Sequence, residues 1–492
     1  MKRLKRLTAL VTAAVLTLGI VGCGGRKQSS ADSVFEDDGE FYTIEWYLLN
    51  PGIKQKDVEP VQNELNKYLK EKINAEVHMN VFDWSTYSER LNLMLQSGEK
   101  MDICWACGND YYTTVAKKGY VELDGLLEKY APKLLETIDE NLLDGSKVNG
   151  KAYGIPANKE SASALGVIYR KDIADKLGID MNNCKTPQDV MEVCKIVKKS
   201  YPDMFMTNTS TPNAPVDWLN FDRVYLGYGK WFGDNADTLI NLYETPEYKE
   251  ACEYAYNLRQ NGGFYPIGDG KTQNELLDAG QMFCMVTNIK PGKAEEYNIQ
   301  FNKSDMKYAQ VFLGTPQTTT TDCTGSLMCI PLTSENPART VKFLELLNTD
   351  SYVNNLVNFG IEGDGYIKND DGTVHVLKDA AYKCNGNQWL IGNVFLNYIT
   401  DEDDPEKNKN FLDFNAQSTA SDMLGFSFDV DNVRNEAIAV SNVIKEYSDQ
   451  LKTGEVSVEK SYDTFMDKMK KAGSDKVLEE VQRQYDEWKK NK

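Results

Sequence analysis

Two of the ten cysteines, Cys104 and Cys107, are separated by two residues, a spacing found in zinc sites and thioredoxin-like redox motifs. A structural zinc ion needs about four ligands. The sequence has no second pair of cysteines at this spacing, and its two histidines, His78 and His375, lie far apart along the chain. We therefore expect no metal ion and no redox-active pair.

The presence of only two histidines also limits which hydrolase mechanisms the sequence can support. A serine hydrolase needs a histidine base, and neither histidine has a Gly-x-Ser-x-Gly partner in the sequence. A glycosidase needs two carboxylates at a fixed separation; the 74 acidic residues offer many chance pairs, none in a recognisable catalytic motif. The acidic run 401–404 lacks the spaced ligands of a calcium loop. We therefore expect no cofactor, and we find no recognisable catalytic motif in the sequence.

A third candidate for chemistry is Cys23. The basic residues of 2–6 precede an apolar run of about 14 residues, which ends in Ile20-Val21-Gly22-Cys23. This order describes a secretory signal, and the run is shorter than the ~20 residues of a membrane-spanning helix. The tetrapeptide resembles the bacterial lipobox, in which the cysteine thiol receives a diacylglyceryl group. We expect residues 1–22 to be removed, Cys23 to carry lipid, residues 23–40 to form a tether, and the mature protein to lie on the outer face of the cell membrane.

Composition limits the partners of the mature protein. The formal net charge of −19 repels phosphate backbones, so we expect no nucleic-acid binding. The length exceeds what one hydrophobic core usually supports, which predicts at least two lobes. With Cys23 taken by lipid, an odd number of scattered cysteines remains, so we expect buried free thiols rather than a disulfide framework.

The strands and helices that would position a ligand-binding site begin near residue 42. Hydrophobic patterning predicts strands over 42–49, 75–81 and 101–105, with helices over 58–73 and 84–96 between them. This strand–helix alternation implies a parallel sheet with right-handed crossovers. Ligands of such sheets gather beyond the carboxyl ends of the strands. The residues expected together at that rim are Asn50, Trp105, Asn109 and Asp110.

Further along the chain, local signals mark other elements. Asn149-Gly150 predicts a tight hairpin, and Thr before Pro predicts helix starts at 186 and 245. Strands are expected near 165–169, 281–286 and 308–313, a helix begins at Pro337, and residues 433–488 are almost entirely helical.

Several ordered motifs resemble a known family. They are Ser97-Gly98-Glu99-Lys100-Met101-Asp102-Ile103, Asn149-Gly150-Lys151-Ala152-Tyr153-Gly154-Ile155-Pro156, Ile168-Tyr169-Arg170-Lys171-Asp172-Ile173, Asn336-Pro337-Ala338-Arg339, Phe359-Gly360-Ile361-Glu362-Gly363 and Leu424-Gly425-Phe426-Ser427-Phe428-Asp429. With the lipobox, they resemble the maltodextrin-binding-like, family 1 bacterial extracellular solute-binding lipoproteins, in the large-lipoprotein subgroup with its own C-terminal extension. The resemblance covers essentially the whole mature chain.

The resemblance implies an α/β, two-lobed, periplasmic-binding-protein-like fold, in which each lobe is a mostly parallel sheet flanked by helices. Its implied boundaries are residues 41–155 with about 326–365 for the N-terminal lobe, and about 156–325 with 366–492 for the C-terminal lobe and its helical extension. The implied function is that of a monomeric receptor delivering a carbohydrate, commonly an oligosaccharide, to the permease subunits of an ABC importer. Crossing segments near 156–160 and 315–325 would absorb the closure of the lobes.

The resemblance also implies site residues. An aromatic residue and an acid follow the third strand of the maltodextrin-binding relatives, and Trp105 and Asp110 match them; Glu160 matches a sugar-binding hinge acid. We accordingly expect Trp105→Ala to weaken binding and to spare the stability of the empty protein. Residues 286–292 carry no aromatic where the relatives have a sugar-stacking Trp. This departure leaves open a non-sugar polar solute such as a peptide, and a secreted carbohydrate-active enzyme remains the competing class.

Neutral sugars present apolar ring faces and hydroxyls, which proteins meet with flat aromatic rings, carboxylates and amides. Trp46 and Trp84 lie beside core-facing positions, so we expect both in the core. We expect Trp488, in a charged terminal helix, to dock that helix. The irregular segments around Trp218, Trp231 and Trp389 suit either a cleft or a core, and the sequence does not choose between them.

Overall fold

The computed structural model describes residues 36–50, 53–207, 213–261, 270–382 and 386–491. The predicted signal peptide, the lipid site at Cys23 and most of the predicted tether lie outside the described residues. Asp37–Lys492 form one compact unit. A search of the described residues finds no helix that is both long and apolar enough to cross a membrane.

The strands are numbered here in chain order. They are β1 (Tyr42–Leu49), β2 (Ala75–Phe82), β3 (Ile103–Ala106), β4 (Gly154–Pro156), β5 (Ala164–Arg170), β6 (Phe221–Tyr225), β7 (Tyr228–Trp231), β8 (Ile240–Asn241), β9 (Cys284–Ile289), β10 (Tyr308–Phe312), β11 (Gln317–Thr318), β12 (Leu327–Cys329), β13 (Tyr366–Lys368), β14 (Val374–Val376) and β15 (Thr419–Ala420).

The α-helices are numbered in the same way. They are α1 (Gln55–Ile73), α2 (Trp84–Ser97), α3 (Gly108–Ala116), α4 (Asp124–Tyr130), α5 (Pro132–Thr137), α6 (Glu140–Ser146), α7 (Lys171–Leu177), α8 (Pro187–Ser200), α9 (Pro246–Gln260), α10 (Gln273–Asp278), α11 (Lys293–Phe301), α12 (Thr320–Cys323), α13 (Pro337–Thr349), α14 (Ser351–Phe359), α15 (Lys407–Ala416), α16 (Arg434–Lys452), α17 (Val458–Ala472) and α18 (Ser474–Asn491).

The first sheet has the strand order β2-β1-β3-β12-β4. As predicted, β1 pairs in parallel with both β2 and β3, while β12 runs antiparallel to β3 and β4. Helix α1 forms because its apolar residues recur every three or four positions, and that face is buried against the sheet. Gly98 ends α2 in the left-handed conformation. We call the residues packed around this sheet the N-lobe.

The core of the N-lobe confirms one prediction about tryptophan. Trp46 is fully buried, and its ring meets Phe343 of α13 edge to face at 5.5 Å. Leu390 and Ile391 belong to the same hydrophobic cluster. The chain therefore returns to the N-lobe core well after residue 365.

The second sheet, in the order β10-β5-β9, is antiparallel throughout. This differs from the mostly parallel sheets expected of both lobes. The physical reason is the chain path, because β5 carries the chain away from the first sheet and its neighbour β10 brings the chain back. We call the residues packed around this sheet the C-lobe.

A third body is built from the antiparallel sheet β6-β7-β8 and helices α9, α16, α17 and α18, which share one hydrophobic cluster. The predicted helical C-terminus is confirmed. The ring of Trp488 stacks on Tyr485 at 5.8 Å and contacts Phe426 at 5.6 Å, so it docks the terminal helix as expected.

Residues 423–426 fasten this body to the N-lobe. Met423 and Phe426 are buried in the cluster of the C-terminal helices, whereas Leu424 is buried in the N-lobe core. Thr320 Oγ1 donates to the Met423 carbonyl at 3.1 Å and accepts from the Gly425 amide at 3.0 Å. Gly425 has φ of +82°, and a Cβ there would lie 2.8 Å from the Asp144 carbonyl oxygen, so the close approach requires glycine.

The local start and turn signals are also confirmed. Thr186 forms a capping box at α8, Thr245 caps α9, and Asn336 caps α13 just before Pro337. Asn149 and Gly150 both have positive φ, at 52° and 77°, as a type I′ hairpin requires.

Candidate functional site

A cleft of about 1070 Å³ opens between the N-lobe and the C-lobe. One side is formed by the end of α14 and residues 386–403, and the other by the end of β9 and by α11. The start of α15 and residues 159–163 close it. Ligands of two-lobed proteins bind in such concave sites between domains.

Three crossing segments lie side by side behind the cleft. Ser163 of the first segment and Gln317 of the second exchange two backbone hydrogen bonds, of 2.9 and 2.8 Å. Strand β11 of the second segment pairs in parallel with β15, which belongs to the third. The Asn415 side chain, at the end of α15, binds the first segment through the Ser161 amide and the Lys159 carbonyl. The segments therefore form a narrow ribbon between the lobes.

The C-lobe side of the cleft is charged. The Lys290 ammonium lies 2.9 Å from a Glu160 carboxylate oxygen and 3.1 Å from Glu296, and Lys293 lies 2.6 Å from Glu296. Lys159 approaches Glu160 at 3.8 Å. The side chains of Glu160 and Lys290 are only 13% and 21% exposed, so water screens their pairing weakly. These residues, Lys159, Glu160, Lys290, Lys293 and Glu296, form what we call the charged wall.

The residues of the charged wall shift one another's pKa values. Burial alone would raise the pKa of Glu160, but the charges of Lys290 and Lys159 outweigh it and hold the pKa at about 2. Burial would lower the pKa of Lys290, and the neighbouring Glu160 and Glu296 instead raise it to about 12. Both groups are charged at neutral pH, when Glu160 can only accept hydrogen bonds.

The N-lobe side of the cleft carries aromatic rings. Trp389 lines the cleft and stacks on Trp84, with ring centroids 6.2 Å apart and planes inclined by 19°. Trp84 in turn meets Trp105 edge to face at 5.5 Å. Trp84 is 48% exposed, so its predicted place in the core is wrong. Trp84 is the first residue of α2, and the buried side chains of that helix, Tyr87 and Met94, come later. Trp389, which lines the cleft, and Trp84, which stacks on it but does not line the cleft, form what we call the aromatic wall.

Trp105 lies beneath this wall and is 7% exposed. Its indole Nε1 donates to Ser326 Oγ at 2.8 Å, and its backbone amide donates to Tyr87 Oη at 2.6 Å. The ring packs on Tyr87 at 5.8 Å. Trp105 therefore supports the exposed rings from within the N-lobe core.

The other predicted site residues lie in different surroundings. Asn50 is fully buried at the end of β1, whereas Asn109 and Asp110 are exposed at the start of α3. Trp218 lies in the C-lobe core, where its indole donates to the Asn213 carbonyl at 3.1 Å. Trp231 is half-buried at the end of β7 against Phe221. Of the predicted residues, the fold brings Glu160 and Trp389 together in the cleft lining.

Sequence reasoning missed most of the lining, including Lys290, His375 and Tyr398. Lys290 lies in the stretch 286–292, where the resemblance implies an aromatic residue rather than a charge. His375 of β14 also lines the cleft, with Nδ1 2.8 Å from Asp401, and Tyr398 lies beside it. A histidine next to an Asp-Gly hairpin gives no local signal of a cleft, so tertiary packing alone reveals these residues.

The described residues contain no group of three or more His, Cys, Asp or Glu side chains arranged to hold a metal ion. Cys104 and Cys107 are free, as are the other cysteines within the described ranges. Cys104 is fully buried, and burial raises the pKa of its thiol to about 12, so it is unreactive at neutral pH.

The chain is similar in sequence to bacterial extracellular solute-binding proteins. A model described as "Bacterial extracellular solute-binding protein" matches residues 65–367, and one described as a domain of unknown function matches residues 422–490. The chain is 29% identical to a "Carbohydrate ABC transporter substrate-binding protein" of Streptococcus pneumoniae, over 98% of both proteins. It is 23% identical to "Lipoprotein LipO" of Bacillus subtilis, again over 98% of both.

Solved structures show the same fold. The N-glycan transport solute-binding protein NgtS of Streptococcus pneumoniae matches with a TM-score of 0.81 and 24% identity, over 91% of this chain and 99% of that one. The structure of NgtS in complex with Man5GlcNAc matches with a TM-score of 0.70 and 25% identity, over 92% of this chain and 99% of that one.

Proposed function

From the premise that this chain belongs to the bacterial extracellular solute-binding protein family, we propose that it is the carbohydrate receptor of an ABC importer. The observation that carries the proposal is the cleft, in which an aromatic wall on the N-lobe faces a charged wall on the C-lobe. Flat rings and carboxylates on opposite sides are what a sugar ring and its hydroxyls require.

The chemistry of the lining supports a polyhydroxylated ligand. Amides and hydroxyls accompany the charged groups, namely Asn288, Gln300, Gln388, Asn397, Asn408, Ser163 and Thr400. Each amide donates and accepts, as each sugar hydroxyl does, so hydrogen bonds can form in both directions. Sugar rings would stack on the exposed tryptophans, and Glu160 would accept from hydroxyls.

The relatives support the same ligand class. A carbohydrate ABC transporter substrate-binding protein is similar over nearly the full length, and the structural relative NgtS has been solved with Man5GlcNAc bound. An oligosaccharide would reach beyond the cleft. Our candidate contacts for its outer sugars are Asn109 and Asp110 at the N-lobe rim, with Asn50 behind them.

Binding would close the two lobes about the ribbon of crossing segments. The TM-score is 0.81 against one structure of NgtS and 0.70 against its complex with Man5GlcNAc, and this difference supports such a movement. Because Leu390 and Ile391 are buried in the N-lobe core, we propose that residues 366–391 move with the N-lobe rather than with the C-lobe, to which the sequence assigned them. No bond is broken in this cycle, so the carboxylates need only remain ionised.

We propose further that the receptor is held at the outer face of the cell membrane by lipid on Cys23 and that it works there as a monomer with the permease subunits. Similarity to a lipoprotein of Bacillus subtilis supports the anchor. Cys23→Ala should leave the precursor without lipid while the folded body retains its melting temperature. Wild-type protein that is released into the medium without lipid would reject the anchor.

The function is tested with purified protein and a panel of oligosaccharides that includes Man5GlcNAc. We expect one or more glycans to raise the melting temperature, since a ligand that binds only the folded state stabilises it, and chromatography should recover them intact. Turnover of a bound glycan would identify a carbohydrate-active enzyme instead. A shift with peptides and none with glycans would identify a receptor for another polar solute.

A further inference from the structure

Four of the five lysines that line the cleft, Lys159, Lys290, Lys293 and Lys407, lie within 4 Å of a carboxylate of the protein. Lys290 and Lys293 share Glu296, Lys290 also pairs with Glu160, and Lys407 lies 2.7 Å from Asp403. Arginine, the residue best suited to bind a carboxylate or phosphate through two parallel hydrogen bonds, does not occur among the described residues that line the cleft.

The acidic groups of the lining are at least as numerous as the lysines. They are Glu160, Glu296, Asp322, Asp401, Glu402 and Asp403, against Lys159, Lys290, Lys293, Lys378 and Lys407. An anionic ligand would therefore enter a cleft without excess positive charge, in a protein whose formal net charge is −19. It would also compete for lysines that already have carboxylate partners. Like charges brought together at an interface weaken binding.

We propose that the cleft selects uncharged oligosaccharides over those carrying sialic or uronic acids, and that Glu296 is a specificity-determining residue. This inference rests on the proposed function and narrows its substrate class. Glu296 pairs with Lys290 and Lys293 at once and lines the cleft, so its loss would leave unneutralised positive charge facing the ligand. Glu160 keeps Lys290 in place when Glu296 is changed, which preserves the shape of the charged wall.

The test compares matched glycans by titration calorimetry. The probes are a galactose-terminated biantennary N-glycan and the same glycan capped with sialic acid, with Man5GlcNAc as a second neutral probe. We expect the wild-type protein to bind the sialylated glycan at least ~10-fold more weakly than its uncapped partner, because the added carboxylates enter a lining in which acidic residues outnumber lysines. Equal or tighter binding of the sialylated glycan would overturn the inference.

The role of Glu296 is tested by Glu296→Gln, with Glu295→Gln as the matched control. Both substitutions remove one negative charge from α11, but Glu295 is exposed and lies outside the cleft lining. We expect Glu296→Gln to reduce the preference for the uncapped glycan ~3-fold or more, chiefly by improved binding of the sialylated one. Glu295→Gln should keep the wild-type preference. The same change in both variants would mean that net charge, rather than the paired lysines, sets the selectivity.

The outcomes separate this inference from the proposed function. Binding of neutral and sialylated glycans with the same affinity rejects the selectivity and leaves the receptor function intact. Absence of binding to every glycan, with a melting-temperature shift from peptides, rejects the receptor function and the inference with it.

Discussion

The two walls of the cleft differ in how they are held. In the aromatic wall, Trp389 stacks on Trp84, and Trp84 packs on Trp105, which is buried in the N-lobe core. The charged wall is held by ion pairs among its own members. The rings of one wall can therefore serve the ligand alone, whereas each charge of the other serves the ligand and the fold together. This difference can be tested by changing one wall, its support or its ionisation.

The largest effect is expected from Trp105→Ala, which removes the support of the aromatic wall. Loss of a buried tryptophan leaves a cavity and should lower the free energy of unfolding by ~3–5 kcal/mol. This reverses the stability expectation drawn from the sequence, because the ring is buried and its indole hydrogen bond to Ser326 is lost as well. Urea denaturation measures the effect, with Trp84→Ala as the control that should change stability little. An unchanged midpoint for Trp105→Ala would contradict the assignment of the ring as a support.

In the charged wall, Lys290→Met should leave Glu160 and Glu296 without their shared partner. Breaking a largely buried pair from one side is strongly destabilising, and we expect a loss of ~2–4 kcal/mol in the free energy of unfolding. The double variant Glu160→Gln/Lys290→Met should recover part of that loss, since it leaves fewer unpaired buried charges. Additive losses in the double variant would show that the two side chains do not act as a pair.

Trp389→Ala removes the ring of the aromatic wall that lines the cleft. Loss of one stacking surface should weaken glycan binding by ~1–3 kcal/mol, or about 5- to 150-fold in Kd, with little change in melting temperature. Trp231→Ala is the matched control, because Trp231 is another half-buried tryptophan and does not line the cleft. Equal effects of the two substitutions on Kd would place the ligand elsewhere.

Near neutral pH, the smallest effect on stability is expected from a change in pH. Lysine neighbours hold the folded pKa of Glu160 at about 2, below its ordinary value of 4.5, so its contribution to stability is fully present above pH 4.5. That contribution is lost as the pH falls from about 4.5 towards 2, and Glu160 adds no pH dependence between 5 and 8. Melting temperatures of the wild type and Glu160→Gln should therefore differ by a constant amount from pH 5 to 8 and converge in acid. A difference that changes between pH 6 and 8 would assign the titration to another group.

Much of the fold was determined by the sequence over short distances. The spacing of apolar residues in α1 and the alternation in β2 predicted the parallel start of the N-lobe, since periodicity reports which face of an element is buried. Capping residues such as Thr186 and turn residues such as Asn149 marked element ends, because their side chains and backbone angles act within a few residues. The ordered motifs indicated the family without any information on tertiary contacts.

Only the tertiary structure decided which side chains face the cleft. Trp84, Trp105 and Trp389 are chemically the same, and local patterns placed Trp84 in the core and left Trp389 undecided. Their exposure depends on neighbours far away in sequence, since Trp389 reaches Trp84 across about three hundred residues. Lys290 gave no local sign that it would meet Glu160 from another part of the chain. Secondary structure follows from nearby residues, whereas a binding wall is assembled from distant segments, and the crossing of those segments is set only when the lobes pack.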